Sequence, residues 1–311
     1  VSSGVIAGLF PGQGSQTSAL GELVSRVVPR LAAECVELVG EDPFARVADS
    51  TRYAQPAIFC ASLAGWKQRP AFVRPLALAG HSLGELSALV AAGALAESAG
   101  LRLAVRRGEL MAAASAGREE GMLAVLGASG EVVTQIASEH ELVLANDNAP
   151  GQVVLAGPSE RLRAASKAAR AQRVRAIVLD VAGAFHSPSM AAAVEPFRAE
   201  LDQVEFHPPA ITVISGASAR PFEDVPAELA TAIVTPVRWS ATMHTLAQLG
   251  ADTFVDFGPG EVLARLVARN LPEARVLDFR RELLTRGATV VLGAVGTGLV
   301  CGATVLSWGQ R

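Results

Sequence analysis

Aromatic residues make up only 5% of this 311-residue chain, cysteines number three, and the formal net charge is −3. Each scarcity removes a class of protein. Cys35, Cys60 and Cys301 are widely spaced. They supply neither a disulfide framework nor the paired spacing of a zinc site, which fits a reducing cytoplasm. A slightly acidic balance gives the whole molecule no basic field for nucleic acid. The first ten residues, VSSGVIAGLF, hold no basic residue ahead of the apolar ones, so they read as a strand rather than a secretory leader. What is plentiful is aliphatic. Half of the residues are hydrophobic and 29 are glycine, enough for one large domain and a smaller one with a full core.

One stretch lacks charge altogether. Residues 287–306 reach the length of a membrane span, behind Arg280, Arg281 and Arg286. Five glycines and three threonines dilute that stretch. An apolar tail (281–311) packing on the domain or left partly disordered is the plainer expectation, and a membrane anchor the lesser one.

Apolar periodicity alternates between strand and helix through residues 1–116. Val5–Phe10 reads as a strand and Ala19–Val39 as helical. A helix continues over Ala57–Trp66, after Gln55 and Pro56. Pro75–Ala79 reads as a strand, a short helix begins at Leu86, and a long one runs from about Ser98 to Ala116. That is an α/β pattern with a parallel sheet. From about 117 to 180 the order becomes β-α-β-β-α-β, a ferredoxin-like unit, with two strands joined through Asn148 to Gly151. The α/β pattern then resumes over 181–280. The expected fold is therefore an α/β-hydrolase-like large domain (1–116 and 181–280) with an inserted ferredoxin-like subdomain (117–180).

Gly80-His81-Ser82-Leu83-Gly84 stands between the Pro75–Ala79 strand and the Leu86 helix. A G-x-S-x-G in that context is a nucleophile elbow, which holds a serine Oγ at a helix N-terminus. Such a serine suits acyl transfer through a covalent ester. It needs a base. His81 adjoins the serine and the turn points it away. His140 and His207 sit beside charged or proline-rich turns, and His244 lies inside a helical pattern. His186 follows a strand and precedes a helix, where a sheet edge presents loop residues, and is the best base on position. Asp256, at another strand end, is the available acid. It follows the histidine in sequence, so a Ser–His dyad oriented by a backbone carbonyl competes with a triad. The loop Gly12-Gln13-Gly14 after the first strand has the wrong spacing for phosphate, and suits an oxyanion site better. Arg106 and Arg107 interrupt an apolar helix. Both are solvated, or one turns into the cleft to grip a carboxylate.

Taken together, ordered blocks over about residues 5–280 resemble the malonyl-CoA:acyl carrier protein transacylase family. They are Gly12 to Gln16, Gln55-Pro56-Ala57, Gly80–Glu85, Arg107 to Met111, Asn148 to Gln152, Ala184 to Ser187, Pro236 to Trp239 and Gly258 to Gly260. The resemblance implies that Ser82 carries the acyl group and His186 serves as base and then acid. It further implies that Gln13 and the Leu83 amide bind the oxyanion, Arg107 holds the malonyl carboxylate, and Asn148 and Gln152 support the site. It implies a ping-pong reaction with malonyl-CoA as substrate, no bound cofactor or metal, and a phosphopantetheinylated acyl carrier protein as acceptor, in fatty acid or polyketide synthesis. An acyl hydrolase, or a transacylase between two carrier proteins, is the alternative on the same fold. Phe185 beside the thioester would crowd an α-branch and favour malonyl over methylmalonyl by ~1–3 kcal/mol. Thr235 stands where many relatives carry asparagine. Arg163, Lys167 and Arg170 recur at helical spacing on a basic face expected to steer the carrier protein or CoA phosphates.

Overall fold

The computed structural model describes residues 4–277. The expectations for the tail, including residues 287–306 and Cys301, lie outside the described residues. Among the described residues no helix is long and apolar enough to cross a membrane.

The chain opens with β1 (Ile6–Phe10), α1 (Leu20–Val27), α2 (Pro29–Val39), α3 (Thr51–Lys67), β2 (Ala77–Gly80), α4 (Gly84–Ala91) and α5 (Glu97–Ser115). It continues through β3 (Glu120–Leu126), α6 (Gly130–Glu139), β4 (Val143–Ala149), β5 (Gln152–Pro158), α7 (Ser159–Ala171) and β6 (Arg175–Val178). A 3-10 turn at Pro188–Ala193 leads to α8 (Val194–Leu201), β7 (Thr212–Ile214), α9 (Val225–Thr231), α10 (Trp239–Gln248), β8 (Thr253–Asp256), α11 (Val262–Asn270) and β9 (Arg275–Leu277).

Two sheets result. The larger is parallel, in the order β7-β2-β1-β8-β9. Its inner strands are apolar without alternation, as strands covered by helices on both faces must be. The smaller is antiparallel, in the order β4-β5-β3-β6. With α6 and α7 on one face it has the ferredoxin-like arrangement, and it is inserted between α5 and the segment leading to His186. Phe10, Trp66 and Phe257 cluster beneath the parallel sheet's carboxyl edge, with ring centroids 5.0–6.0 Å apart.

Several expected elements are redrawn. The helix expected over Ala19–Val39 is two helices, because Pro29 starts α2 at a position whose N–H needs no partner. Pro56 lies inside α3, which begins earlier at the Ser50 cap, whose hydroxyl accepts from the Arg52 N–H. The loop expected from Asn148 to Gly151 shrinks to Pro150 and Gly151, since β4 runs on to Ala149. Within the resumed α/β pattern, the helical stretch up to Leu201 opens with a 3-10 turn at Pro188–Ala193 before α8 begins. The edge strand β9 is short, with one exposed and two half-buried residues and no alternation to betray it.

Candidate active site

The carboxyl ends of β1 and β2 bring two loops side by side. The glycine loop leaves β1 after Phe10, and the elbow leaves β2 after Gly80. The elbow is as tight as its glycines permit. A Cβ on Gly80 would collide with the Gly84 backbone, and one on Gly84 with the Phe10 carbonyl. That closeness lets α4 start directly under the nucleophile. Ser82 itself sits at φ 56°, the left-handed region that non-glycine residues avoid, at a cost of about 1–3 kcal/mol held by the surrounding packing. The adjoining Leu83 amide donates to no acceptor among the described residues, and at the start of α4 it benefits from the helix dipole.

His186 reaches the site from the chain that follows β6, 104 residues away from Ser82. Its Nε2 lies 2.7 Å from Ser82 Oγ. Its Nδ1 faces two carbonyl oxygens, Ala232 at 2.9 Å and Thr235 at 3.1 Å. Carbonyls only accept, so Nδ1 carries the proton and Nε2 is the free acceptor for the serine hydroxyl. The tautomer is thus fixed by backbone alone. His186 also has a positive φ, 56°. Burial, then the positive charge of Arg107, push its pKa down to about 3, so the ring is neutral and ready to accept.

Arg107 is the arginine that turns inward. It is 4% exposed, while its neighbour Arg106 goes to Glu200 and Glu109 at the surface. Arg107 Nη2 donates to Ser82 Oγ at 3.2 Å and Nη1 donates to Gln55 Oε1 at 2.8 Å. Gln55 is itself fixed, donating to Thr51 Oγ1 at 2.9 Å. Burial lowers the guanidinium pKa to about 10, so it remains charged at neutral pH. Arg107 makes no ion pair with any carboxylate among the described residues. The nearest influence is Glu85, a buried carboxyl that accepts from the Gly216 N–H at 2.8 Å and is pushed up to about 7 by desolvation. A half-neutral carboxyl on a different partner leaves the guanidinium open to an anionic ligand.

The other expected site residues fall into place unevenly. His81 points away from Ser82, and its Nε2 donates to Asn148 Oδ1 at 2.8 Å. The Asn148 carbonyl in turn accepts from Asn270 at 2.9 Å. Asn148 therefore supports the residue beside the nucleophile. Gln152 begins β5, half-buried, with no side-chain hydrogen bond to Ser82, His186 or Arg107. Gln13 is exposed and lines a cavity of about 140 Å³ with Thr51, Ala112, Asp180, Val181 and Phe185. Asp256 does not reach His186, and accepts instead from the Gly258 N–H at 3.0 Å. His140 caps α6, His207 faces Glu205, and His244 donates to the Ser240 carbonyl, all outside the site. Thr235 contributes its backbone, while its side chain turns to the Thr231 carbonyl at 2.8 Å. The exchange of asparagine for threonine therefore leaves the bond to His186 intact. Gln55, Glu85 and the Ala232 carbonyl went unforeseen as site groups. Gln55 was visible in the Gln-Pro-Ala block, but only the fold shows that it orients Arg107.

A serine primed by a carbonyl-oriented histidine, on a parallel α/β sheet with a buried cation beside it, defines a serine acyl-transfer protein. The chain belongs to the acyl transferase domain family, whose model matches residues 9–284. It is 39% identical over 296 residues to the polyketide biosynthesis protein ThaF of Burkholderia thailandensis, covering 88% of this chain and 25% of that protein. It is 36% identical over 290 residues to the polyketide biosynthesis malonyl CoA-acyl carrier protein transacylase PksC of Bacillus subtilis, covering 88% of this chain and 99% of that one. The chain thus spans a quarter of the first protein and nearly all of the second. The crystal structure of a malonyl-CoA:acyl carrier protein transacylase from Xanthomonas oryzae superposes with a TM-score of 0.80 at 33% identity, covering 89% of this chain and 94% of that one.

Proposed function

We propose that this chain takes a malonyl group from malonyl-CoA onto Ser82 and passes it to the phosphopantetheine thiol of an acyl carrier protein, in polyketide or fatty acid synthesis. Arg107 carries the reading. A buried guanidinium without a carboxylate partner, 3.2 Å from the nucleophile, is matched by an acyl group that ends in a carboxylate. His186 Nε2 removes the Ser82 proton as Oγ attacks the thioester carbonyl. The oxyanion is stabilised by the Leu83 N–H and by Gln13, a donor pair of the kind worth ~10²–10³ in rate per donor. The C–S bond then breaks, the protonated histidine returns its proton to the CoA sulfur, and the ester remains. The carrier thiol repeats the sequence in reverse.

Arg107 also ties recognition to chemistry. Its charge is one of the two main causes that depress His186. A malonyl carboxylate on Arg107 offsets that charge and strengthens the base only when a carboxylated substrate is present. Phe185, buried at the edge of the cavity, restricts branching on the α-carbon.

Intact-protein mass after brief mixing with malonyl-CoA tests the proposal. A malonyl adduct is expected on the native protein, absent from Ser82→Ala, and transferred on addition of a holo carrier protein. An adduct lost to water with the carrier unloaded would instead make the protein a hydrolase. No adduct would mean another acyl donor.

A further inference from the structure

Glu85 is a carboxyl buried against the elbow, and the acyl-transfer steps described above make no use of it. It stands in the first turn of α4, three residues after Ser82, and is 3% exposed. Its Oε1 accepts from the Gly216 N–H at 2.8 Å, across 131 residues of chain, and the Ser215 hydroxyl faces the same carboxyl. Taking a carboxyl out of water is costly. An apolar side chain would fill that space at less cost, but would leave the buried Gly216 N–H without an acceptor.

What that acceptor holds leads to the base. Gly216 lies in the turn that follows β7, which closes on itself. The Ser215 N–H donates to the Arg220 carbonyl at 2.8 Å, the Ala219 N–H donates to the Ser215 carbonyl at 2.9 Å, and Ala219 is held at φ 58°. A Cβ on Gly216 would come within 3.2 Å of the Gly80 carbonyl, so this residue sits against the start of the elbow. The Gly216 carbonyl accepts from the Arg238 N–H at 2.7 Å. Gly216 is thus gripped at its N–H by Glu85 and at its carbonyl by Arg238. Arg238 stands three residues beyond Thr235, whose carbonyl accepts from His186 Nδ1 at 3.1 Å. Between the two, Pro236 has a fixed φ and Val237 is tied to Ala145 and Asp147 of β4. That short, pinned segment leaves little slack, and a shift of Gly216 reaches the Thr235 carbonyl.

We propose that Glu85 is a positioning residue for acyl transfer: its carboxyl oxygen braces Gly216 and, through the Arg238 N–H, holds the Thr235 carbonyl where it orients His186. The inference rests on the acyl-transfer reading above, and adds a residue that acts on the base from the nucleophile's own helix. The brace needs an acceptor rather than a charge. Oε1 accepts whether the carboxyl is ionised or keeps a proton on Oε2. Arg107 from α5 and Glu228 from α9 act on the charge of the carboxyl and leave that bond in place.

The test uses the full chain with isotope-labelled histidine and compares Glu85→Leu with Glu85→Gln. Leucine fills the space and offers Gly216 no acceptor, whereas glutamine keeps one. The first readout is the NMR resonance of the His186 Nδ1 proton, identified by its loss in His186→Ala. The second is the rate at which Ser82 reacts with a fluorophosphonate, a reaction that needs the dyad and no malonyl group. In Glu85→Leu the resonance should move upfield as the bond to Thr235 lengthens. Labelling should slow by ~10²-fold, the cost of misplacing a catalytic group by about 1 Å. Glu85→Gln should recover most of both losses. Arg238→Pro, at an exposed position of negative φ (−93°), removes the N–H at the other end of the brace and should move the same resonance. It reads the brace even where Glu85→Leu fails to fold. A Glu85→Leu protein with the native resonance and labelling rate overturns the proposal. So does one whose Tm falls while the resonance stays in place, which would make Glu85 a packing residue alone. A native protein that reacts with the fluorophosphonate but takes no malonyl from malonyl-CoA would instead strike the acyl-donor reading and leave this one standing.

Discussion

Arg107 decides more at this site than its single charge suggests. It touches the nucleophile and weakens the base, and under the proposed function it also holds the carboxylate whose arrival restores that base. The pH behaviour follows. In the free enzyme the His186 pKa lies near 3, against ~6.5 for an unperturbed imidazole. The kcat/KM for malonyl-CoA should therefore stay level as pH falls from 8 through 6.5. Arg107→Gln removes the charge, so its acid limb moves upward, and its kcat/KM for malonyl-CoA falls by ~30-fold or more, the cost of unpairing a buried charge. Selectivity for malonyl-CoA over acetyl-CoA should collapse with it. A variant that keeps both its selectivity and its pH profile would remove Arg107 from these roles. The same depression has a stability sign. Between pH 6.5 and 3 the unfolded chain binds a proton at this position that the folded chain refuses, so His186 costs stability as pH falls through that window.

At the scale of elements, the elbow is a packing solution before it is a catalytic one. Gly84 lets the first turn of α4 lie against the end of β1, and Gly80 lets β2 turn sharply beneath it. Gly84→Ala places a methyl group into the Phe10 carbonyl, which neither backbone can vacate. Loss of several kcal/mol is expected, on the order of the larger overpacking penalties. Circular dichroism melting should show a large fall in Tm and the Ser82 ester should not form. A variant of native Tm and activity would mean the strand and helix can part at no cost. The elements also show where sequence patterns reach their limit. α6, the first helix of the expected β-α-β-β-α-β order, forms where that order puts it because Ser129 caps it and its apolar face is regular. The break between α1 and α2 was missed because both halves share one apolar face. β9 was missed because three half-exposed residues carry no period.

At the scale of the whole molecule, the two sheets are joined close to the chemistry. Val237 bonds to β4 through the Ala145 carbonyl and the Asp147 N–H, two residues beyond the Thr235 carbonyl that orients His186. His81, next to the nucleophile, bonds to Asn148 of the same strand. Movement of the small sheet therefore reaches both members of the dyad. Asn148→Ala leaves the half-buried His81 N–H without its partner, a loss of about 1 kcal/mol, or ~2–4 °C in Tm per kcal/mol for a protein of this size. The kcat should fall with it, since Ser82 follows His81 directly. An unchanged Tm and kcat would mean that the two sheets are held elsewhere.

The sequence alone determined whatever depends on neighbours along the chain. The elbow needs small residues at fixed offsets from Ser82. The parallel and antiparallel halves follow from alternating apolar runs, and the family resemblance from ordered blocks. It also narrowed five histidines to one on position. It left open which arginine turns inward, whether Asp256 completes a triad, and how Gln55 takes part. Those questions depend on which surfaces meet across separations of 25 to 104 residues, and local pattern carries no such information. Only the tertiary structure placed two backbone carbonyls at His186 Nδ1. A carbonyl is present at every residue, so no side chain announces the one that will be used. Packing made that choice, and with it fixed the proton on the nitrogen that leaves Nε2 free for Ser82.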